Sequence, residues 1–380
     1  MSGLAALALA MGIGRFAFTP ILPMMQGDLG VTVAQGGWLA SANYVGYLVG
    51  ALSAIQGEIR PRFAVRVGFV VIACATLAMG FEHRFLAWLL WRALAGFASA
   101  WVLVYVSAWA LEKLANCGRA DLGGMLYAGV GTGLIFAGLA CLILLRLETS
   151  SATAWVVLGL TALLITAALW NVVALDEKVA PAQFGLKACA RDVPEFWRLV
   201  LCYGAFGLGY IVPATFLPVM AKQVVADPTW FGWAWPVFGA AAVVSTLLAS
   251  RASLVIGQRG VWILGNLVMA AGVLIPIVLP GLVGIVIAAV CVGGTFMVNT
   301  MVGMQEARRV AGVRARMLMA AMTSAFAVGQ IVGPILVSWL DRFEGGFSLA
   351  LAVAAIPLCL AAYTLFMNRG TTVSALATPK

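Results

Sequence analysis

Apolar residues run through the chain in stretches of about 20, separated by short polar breaks. As a helix, such a stretch crosses the roughly 30 Å hydrocarbon core of a bilayer. The stretches are continuous rather than alternating with period two, which excludes a transmembrane β-barrel. We therefore predict twelve membrane-spanning helices, over 4–25, 36–57, 64–81, 85–109, 123–145, 154–175, 198–220, 232–250, 261–279, 282–304, 317–338 and 347–367.

The composition supports this pattern by exclusion. Apolar residues make up 63% of the 380 positions and glycine adds another 42, whereas charged residues make up only 10%. Soluble proteins carry about 25% charged residues, so a soluble enzyme, a disordered chain and a fibrous protein are excluded. The expected fold class is all-α and integral to a membrane.

The net charge of +9 predicts an orientation rather than a nucleic-acid partner. Seventeen of the 23 Lys and Arg residues lie in alternate predicted loops or in the C-terminal tail. The positive-inside rule makes that side cytoplasmic and places both termini there. Because the basic residues are spread a few at a time over short loops, we expect no nucleic acid to bind.

The first stretch is too long for a cleavable signal peptide, so it is expected to remain in place as a signal anchor. The predicted outer loops are short and contain no N-x-S/T acceptor. These features fit a multi-pass protein of a bacterial cytoplasmic (inner) membrane.

The chain also contains an internal repeat. Span one has GIGRFAFTPILPMM from Gly12 and span seven has GLGYIVPATFLPVM from Gly207, identical at five of 14 positions. Gly37-Trp38 and Gly232-Trp233 keep the same offset of 195 residues. We predict two six-helix halves with pseudo-symmetry, 1–175 and 198–380, joined by a cytoplasmic linker over 176–197. Such parallel repeats place a substrate site between the halves near the membrane midplane.

Small residues four apart in the spans predict close helix packing rather than a phosphate loop. The pairs are Gly46/Gly50, Gly129/Gly133 and Gly329/Gly333. Prolines within spans remove backbone donors and open helices where they line a cavity. These prolines are Pro20, Pro23, Pro213, Pro218 and Pro334.

The whole chain resembles the major facilitator superfamily (MFS). GIGRFAFTPILP and YGAFGLGYIVPATFLP resemble the transporter branch labelled YbfB/YjiJ, and LLWRALAGFASA around Arg92 is similar to the superfamily's span-four pattern. Gln330-Ile-Val-Gly333-Pro334 is similar to its Gly-Pro pattern. GEIRPRFAVR from Gly57 keeps the glycine and basic residues of the gating loop but lacks its aspartate. The resemblance implies a secondary transporter.

Two arginines fall inside predicted spans. Arg15 lies about eleven residues, roughly 17 Å, into span one, near the bilayer centre. A charge there costs at least about 2.5–3.5 kcal/mol, so its side chain must face the bundle interior or water. Arg92 lies nearer a span end, where its side chain can reach the interface. Arg15 has a structural alternative, since Pro20 and Gly14 free backbone carbonyls that its side chain can bind.

All 14 carboxylates fall in predicted loops or at span edges, so the two buried arginines have no buried carboxylate partner in the span map. An anion in the cavity would relieve them, which favours a monocarboxylate or another small organic anion as substrate. The resemblance adds a restriction, since organophosphate antiporters of the superfamily place arginines on spans one and seven. Here Tyr210 occupies the position equivalent to Arg15, which disfavours a doubly charged phosphate.

Polar and aromatic residues at helical spacing complete the predicted site, although each alone serves equally well as a bond between helices. The candidate substrate-binding or coupling residues are Arg15, Phe16, Thr19, Asn43, Tyr47, Arg92, Tyr210, Thr215, Asn299 and Gln330. Tyr203 and Thr295 share faces with two of them.

The leading hypothesis is a secondary active transporter of a small organic solute, an organic anion, working by alternating access as a monomer. The alternative is proton-driven efflux of multiple lipophilic compounds, for which an aromatic cavity suffices. Proton symport, proton-driven efflux and anion exchange all stay open as coupling modes. With one histidine, His83, no CxxC pair and no HExxH or GxSxG motif, we expect no enzyme activity, metal site or cofactor.

Overall fold

A computed structural model describes residues 1–55, 59–171, 194–224, 229–340 and 346–367. Throughout these ranges the regular secondary structure is helical, which confirms the all-α prediction. Residues 176–193 of the predicted linker (176–197) lie outside the described residues. The principal helices are α1 (Ser2–Asp28), α2 (Val33–Ile55), α3 (Pro61–Phe81), α4 (Phe85–Asn116), α5 (Gly123–Arg146), α6 (Ser151–Leu169), α7 (Pro194–Val224), α8 (Thr229–Val278), α9 (Leu282–Ala311), α10 (Ala315–Leu340) and α11 (Gly346–Met367).

Ten stretches of the described chain are long and apolar enough to cross a membrane. Two of them, Trp235–Val278 with 44 residues and Leu282–Val337 with 56, far exceed the roughly 20 residues that one crossing needs. Helical structure continues through both predicted breaks except at two glycines. Gly257 has φ 76° and ψ 161°, and Gly312 has φ 51° before a 3-10 turn. The count of twelve and the division into halves stay predictions.

The predicted tight hairpin at Glu82 to Arg84 is confirmed, since α3 ends at Phe81 and α4 begins at Phe85. One Glu82 carboxylate oxygen accepts hydrogen bonds from the amides of Arg84 and His83, at 3.0 and 2.9 Å. These two donors lower the pKa of the Glu82 carboxyl below its usual value. The Glu82 carboxylate therefore stabilises the turn, which the spacing of the apolar stretches alone does not predict. The break at Pro280-Gly281 is confirmed too, between Val278 and Leu282.

The glycine pairs are packing positions, as predicted. A Cβ atom added at Gly46 of α2 would lie 1.9 Å from the carbonyl oxygen of Ala93 in α4. At Gly129 of α5, an added Cβ would lie 2.1 Å from the carbonyl oxygen of Leu4. Helix backbones touch directly at these points, which only glycine allows.

Glycine also lines the contact between α5 and α8. A Cβ on Gly131 would lie 2.7 Å from the carbonyl oxygen of Gly239, and one on Gly239 would lie 2.8 Å from that of Gly131. Further along, Gly138 faces Pro236. Just before the start of α5, the carbonyl oxygen of Asp121 accepts a hydrogen bond from the hydroxyl of Ser250 in α8, at 2.6 Å. Main-chain atoms thus form much of this interface.

One carboxylate is buried where the sequence predicts a span edge. Glu306 is 1% exposed and accepts a hydrogen bond from Arg259. It also accepts two hydrogen bonds from Arg309, at 2.6 and 2.7 Å. Glu195 at the start of α7 also pairs with Arg259 and with Arg198. The reason is that α9 continues past the predicted limit of 304 to Ala311, which carries Glu306 into the bundle. The resulting network joins α7, α8 and α9, and it satisfies a charge that would be costly alone.

The α2–α4 contact predicts a sharp difference between two glycines of one helix. Gly46→Ala should destabilise the protein by about 1–3 kcal/mol, because its new methyl group collides with backbone. Gly37 has open space around its Cβ position, so Gly37→Ala should leave stability unchanged or raise it slightly. Thermal unfolding of the purified variants measures both, and equal midpoints would contradict the direct backbone contact.

Candidate functional site

Arg15 lies in the middle of α1 and is 2% exposed. Its Nη2 atom donates a hydrogen bond to Oε1 of Gln330 on α10. The ring of Tyr47 on α2 lies 3.8 Å from the guanidinium carbon, a close cation–π contact. The rings of Phe16 and Phe326 lie 5.4 and 5.7 Å from the same carbon. Arg15 is therefore contacted by two further predicted site residues from two other helices, Tyr47 and Gln330.

Several hydrogen-bond donors in this cluster have no partner among the described residues. They are Nε and Nη1 of Arg15 and Nε2 of Gln330, and both side chains are buried. Within the described chain, neither Arg15 nor Arg92 takes part in an ion pair. Buried donors without acceptors are rare and costly, and they are typical of sites that bind something. The cluster is suited to an anion or another strong acceptor.

The backbone that carries Arg15 is not a regular α-helix. Residues Ala8–Phe16 form a π-helix inside α1, between the α-helical pieces Ser2–Leu7 and Phe18–Asp28. The wider turn of a π-helix leaves carbonyl oxygens accessible to side chains, and such segments are frequent at functional sites. The glycines of the GIGRF motif let neighbours approach, since a Cβ on Gly14 would lie 2.7 Å from the Ser99 hydroxyl.

Side chains from α4 bind those carbonyl oxygens. Arg92 donates from Nη2 to the carbonyl of Arg15 at 3.2 Å and from Nη1 to that of Gly14 at 3.5 Å. Ser99 donates to the carbonyl of Ala10 at 2.7 Å. Arg92 also lies 4.7 Å from the ring of Phe18. Its contacts are those of a residue that holds α1 in place, and they point into the bundle rather than to the interface.

Asn43 acts on the same α1–α2–α4 junction. Its side-chain amide donates to the carbonyl oxygen of Arg92 at 3.0 Å, and it is fully buried. A Cβ on Gly96 would lie 2.1 Å from the carbonyl oxygen of Asn43. Asn43 therefore joins α2 to α4, and it is not among the groups around Arg15.

An aromatic wall faces Arg15 from α7, α9 and α10. We use this name for Tyr203, Phe206, Tyr210, Phe296 and Phe326. Tyr210 stacks on Phe296 with centroids 4.5 Å apart and an interplanar angle of 16°. Phe326 contacts Phe206 and Tyr203 at 5.0 and 5.4 Å. Phe16 meets the wall edge-on at Phe296, 5.6 Å away.

The remaining predicted residues lie elsewhere. Asn299 of α9 donates to Asn266 of α8 at 3.1 Å, a buried bond between helices. Thr295 bonds to carbonyl oxygens of its own helix. Thr19 is exposed and outside the cluster. Thr215 is in α7, but its side chain lies outside the described part of the molecule.

Sequence reasoning missed Tyr44, Phe296 and Phe326. Tyr44 lies 5.8 Å from the Arg15 guanidinium carbon and sits three residues before Tyr47. Phe326 precedes Gln330 by four residues, the spacing that places two side chains on one helix face. A search for aromatic residues on the face of Gln330 would have found it.

A bundle of long apolar helices around a buried arginine is the architecture of a membrane transporter rather than of an enzyme. The family described as "Uncharacterised MFS-type transporter YbfB" matches residues 7–365, so the chain belongs to this family of MFS transporters. The family and fold are those of transporters, not enzymes, and the chain is a multi-pass membrane protein. The predicted resemblance is confirmed.

Two individual proteins show the same relationship. The Bacillus subtilis (strain 168) "Uncharacterized MFS-type transporter YceJ" is 26% identical over 274 residues, which are 68% of each chain. The crystal structure of the human organic anion transporter MFSD10 (TETRAN) superposes with a TM-score of 0.73 at 13% identity. It covers 96% of this chain and 98% of its own. At that identity the likeness shows the fold.

The two buried arginines should respond in opposite ways to loss of charge. Arg92→Met removes the donors to two buried carbonyls and should lower the stability of the purified protein by about 1–3 kcal/mol. Arg15→Met removes a cation with unpartnered N–H groups and should leave the unfolding temperature unchanged or raised. Arg119→Met, at a side chain 58% exposed, is the control. Equal losses at Arg15 and Arg92 would contradict the two assignments.

Proposed function

We propose that this protein is a secondary active transporter that moves a small organic anion across the cytoplasmic membrane by alternating access around Arg15. The observation that carries the proposal is the Arg15 side chain, buried with two unpartnered guanidinium nitrogens and outside the ion pairs of the described residues. A bound anion would supply both the missing acceptors and the missing countercharge. Gln330, with its own unpartnered N–H group, would bind the same ligand.

The alternating-access part of the proposal rests on the chain's internal repeat. Gly12 of α1 packs against Gly133 of α5, and Gly207 of α7 packs against Gly329 of α10. The repeated glycines thus make equivalent helix contacts, which supports two halves of six spans each, 1–175 and 198–380. The two longest helical stretches, interrupted near Gly257 and Gly312, would then supply two crossings each and bring the count to twelve.

In this arrangement Arg15 and Tyr47 belong to one half, and Gln330 and Phe326 to the other. The site is completed within a single chain, which supports a monomer as the working unit. Rocking of the halves would open the contact between Arg15 and Gln330 to one side and then the other. A proton gradient or exchange for a second anion would supply the driving force.

Ligand binding tests the substrate class. A panel of singly charged organic acids, acetate, hexanoate and benzoate, should contain at least one that raises the unfolding temperature of the purified protein. At a ligand concentration of 100 times the dissociation constant, binding adds about 2.7 kcal/mol to the free energy of unfolding. The shift should vanish in Arg15→Gln and persist in the surface control Arg119→Gln.

The competing function predicts a different pattern. If tetraphenylphosphonium, a lipophilic cation, stabilises the native protein and Arg15→Gln equally while no acid does, the anion proposal is wrong and efflux of lipophilic compounds takes its place. Uptake into proteoliposomes then separates binding from transport: Arg15→Gln should insert normally and transport nothing.

The orientation is tested with fusions to alkaline phosphatase, which is active only outside the cytoplasm. A fusion after Glu148 should be active, because the loop between α5 and α6 is predicted to be external. A fusion after Arg119, between α4 and α5, should be inactive. The reverse result would overturn the proposed orientation with cytoplasmic termini.

A further inference from the structure

Arg15 and Arg92 differ in how many of their guanidinium nitrogens are used by the protein itself. Arg92 is the other buried arginine of α1, α2 and α4, and two of its guanidinium nitrogens donate to the carbonyls of Gly14 and Arg15. Glu306 and its arginine partners form a separate network. A carboxylate bound at Arg15 therefore meets two unpartnered nitrogens of Arg15, whereas Arg92 has only Nε without a partner among the described residues.

The unpartnered side-chain atoms of Arg15 and Gln330 are all hydrogen-bond donors. They are two guanidinium nitrogens of Arg15 and the side-chain amide nitrogen of Gln330. A carboxylate accepts several hydrogen bonds and forms strong charge-assisted ones with arginine. A neutral amide or an amine would leave the Arg15 charge uncompensated.

Aromatic rings surround the Arg15 guanidinium. Four rings lie within 6 Å of the Arg15 guanidinium carbon, those of Phe16, Tyr44, Tyr47 and Phe326. Beyond Phe326 the aromatic wall continues through Tyr210, whose ring is 6.2 Å away and inclined by 22°. The atoms attached to a carboxylate bound here would lie against ring faces and edges.

From these features we infer that the substrate is a monocarboxylate with a flat aromatic body. Its carboxylate binds Arg15 and Gln330, and its ring packs against Phe326 and the aromatic wall. This inference rests on the proposed function, since it takes Arg15 as the anion site. It adds that α1 and α10 bind the carboxylate, that α7, α9 and α10 contact the ring, and that α10 takes part in both through Gln330 and Phe326.

The test compares ligands matched in charge and size. Binding of benzoate and of cyclohexanecarboxylate, which has the same carbon count and a saturated ring, is measured calorimetrically on the purified full-length chain. Benzoate should bind about threefold to tenfold more tightly, the range that ring–ring contacts add beyond buried area. Neutral benzamide and doubly charged phthalate should each bind at least about tenfold more weakly than benzoate.

Two substitutions locate the ring. Phe326→Leu should remove the preference for benzoate while leaving the affinity for cyclohexanecarboxylate nearly unchanged. Phe81→Leu, at a phenylalanine of α3 that is 70% exposed, is the matched control and should change neither affinity.

Each outcome bears on a different claim. Equal affinity of the native protein for both acids, with loss of both in Arg15→Gln, would overturn the aromatic body and leave the anion transporter intact. Benzamide or phthalate binding as tightly as benzoate would overturn the single carboxylate. Acids that bind neither the native protein nor its variants would overturn the proposed function itself. Because the ligand comparison uses the native protein, it holds even if Phe326→Leu fails to fold.

Discussion

A guanidinium group in an apolar interior must find hydrogen-bond acceptors and a countercharge inside the protein, since bilayer hydrocarbon offers neither. The region around α1 is organised by this constraint. Arg15 rests on the ring of Tyr47 and bonds to Gln330, while the π-helix that carries it exposes carbonyls to Arg92 and Ser99. Arg92 directs two of its three guanidinium nitrogens to main-chain carbonyls, whereas Arg15 directs one to Gln330 and has two without a partner among the described residues.

This difference distinguishes a buried arginine that stabilises the fold, Arg92, from one that we propose binds a ligand, Arg15. Arg92 completes the hydrogen bonding of a backbone that regular helix geometry would have completed by itself. Arg15 is stabilised by ring faces and one amide, and its remaining N–H groups lack acceptors among the described residues. Local departures from full satisfaction are typical of functional sites in otherwise consistent folds.

The apolar stretches and the glycine pairs were sufficient to predict an all-helical membrane protein and its close backbone contacts, because both depend on short-range patterns. Arg15, Tyr47 and Gln330 were predictable as polar residues in apolar spans. The π-helix was not, because no local residue preference encodes it. Glu306 was misplaced because its helix continues several residues beyond the apolar stretch, and Phe326 because aromatic residues in spans are usually packing or anchors.

The glycine-lined contact of α5 with α8 has a mechanical consequence. Side chains that interdigitate between two helices must separate before the helices can shift, and this separation costs energy. Where Gly131 faces Gly239 and Gly138 faces Pro236, at least one of the two facing positions has no side chain, although Val243 and Ile135 pack beside the first pair. Such a surface permits small sliding at nearly constant contact, the movement called shear. The two helices can therefore shift along each other with little loss of contact, and the surrounding side chains determine how far.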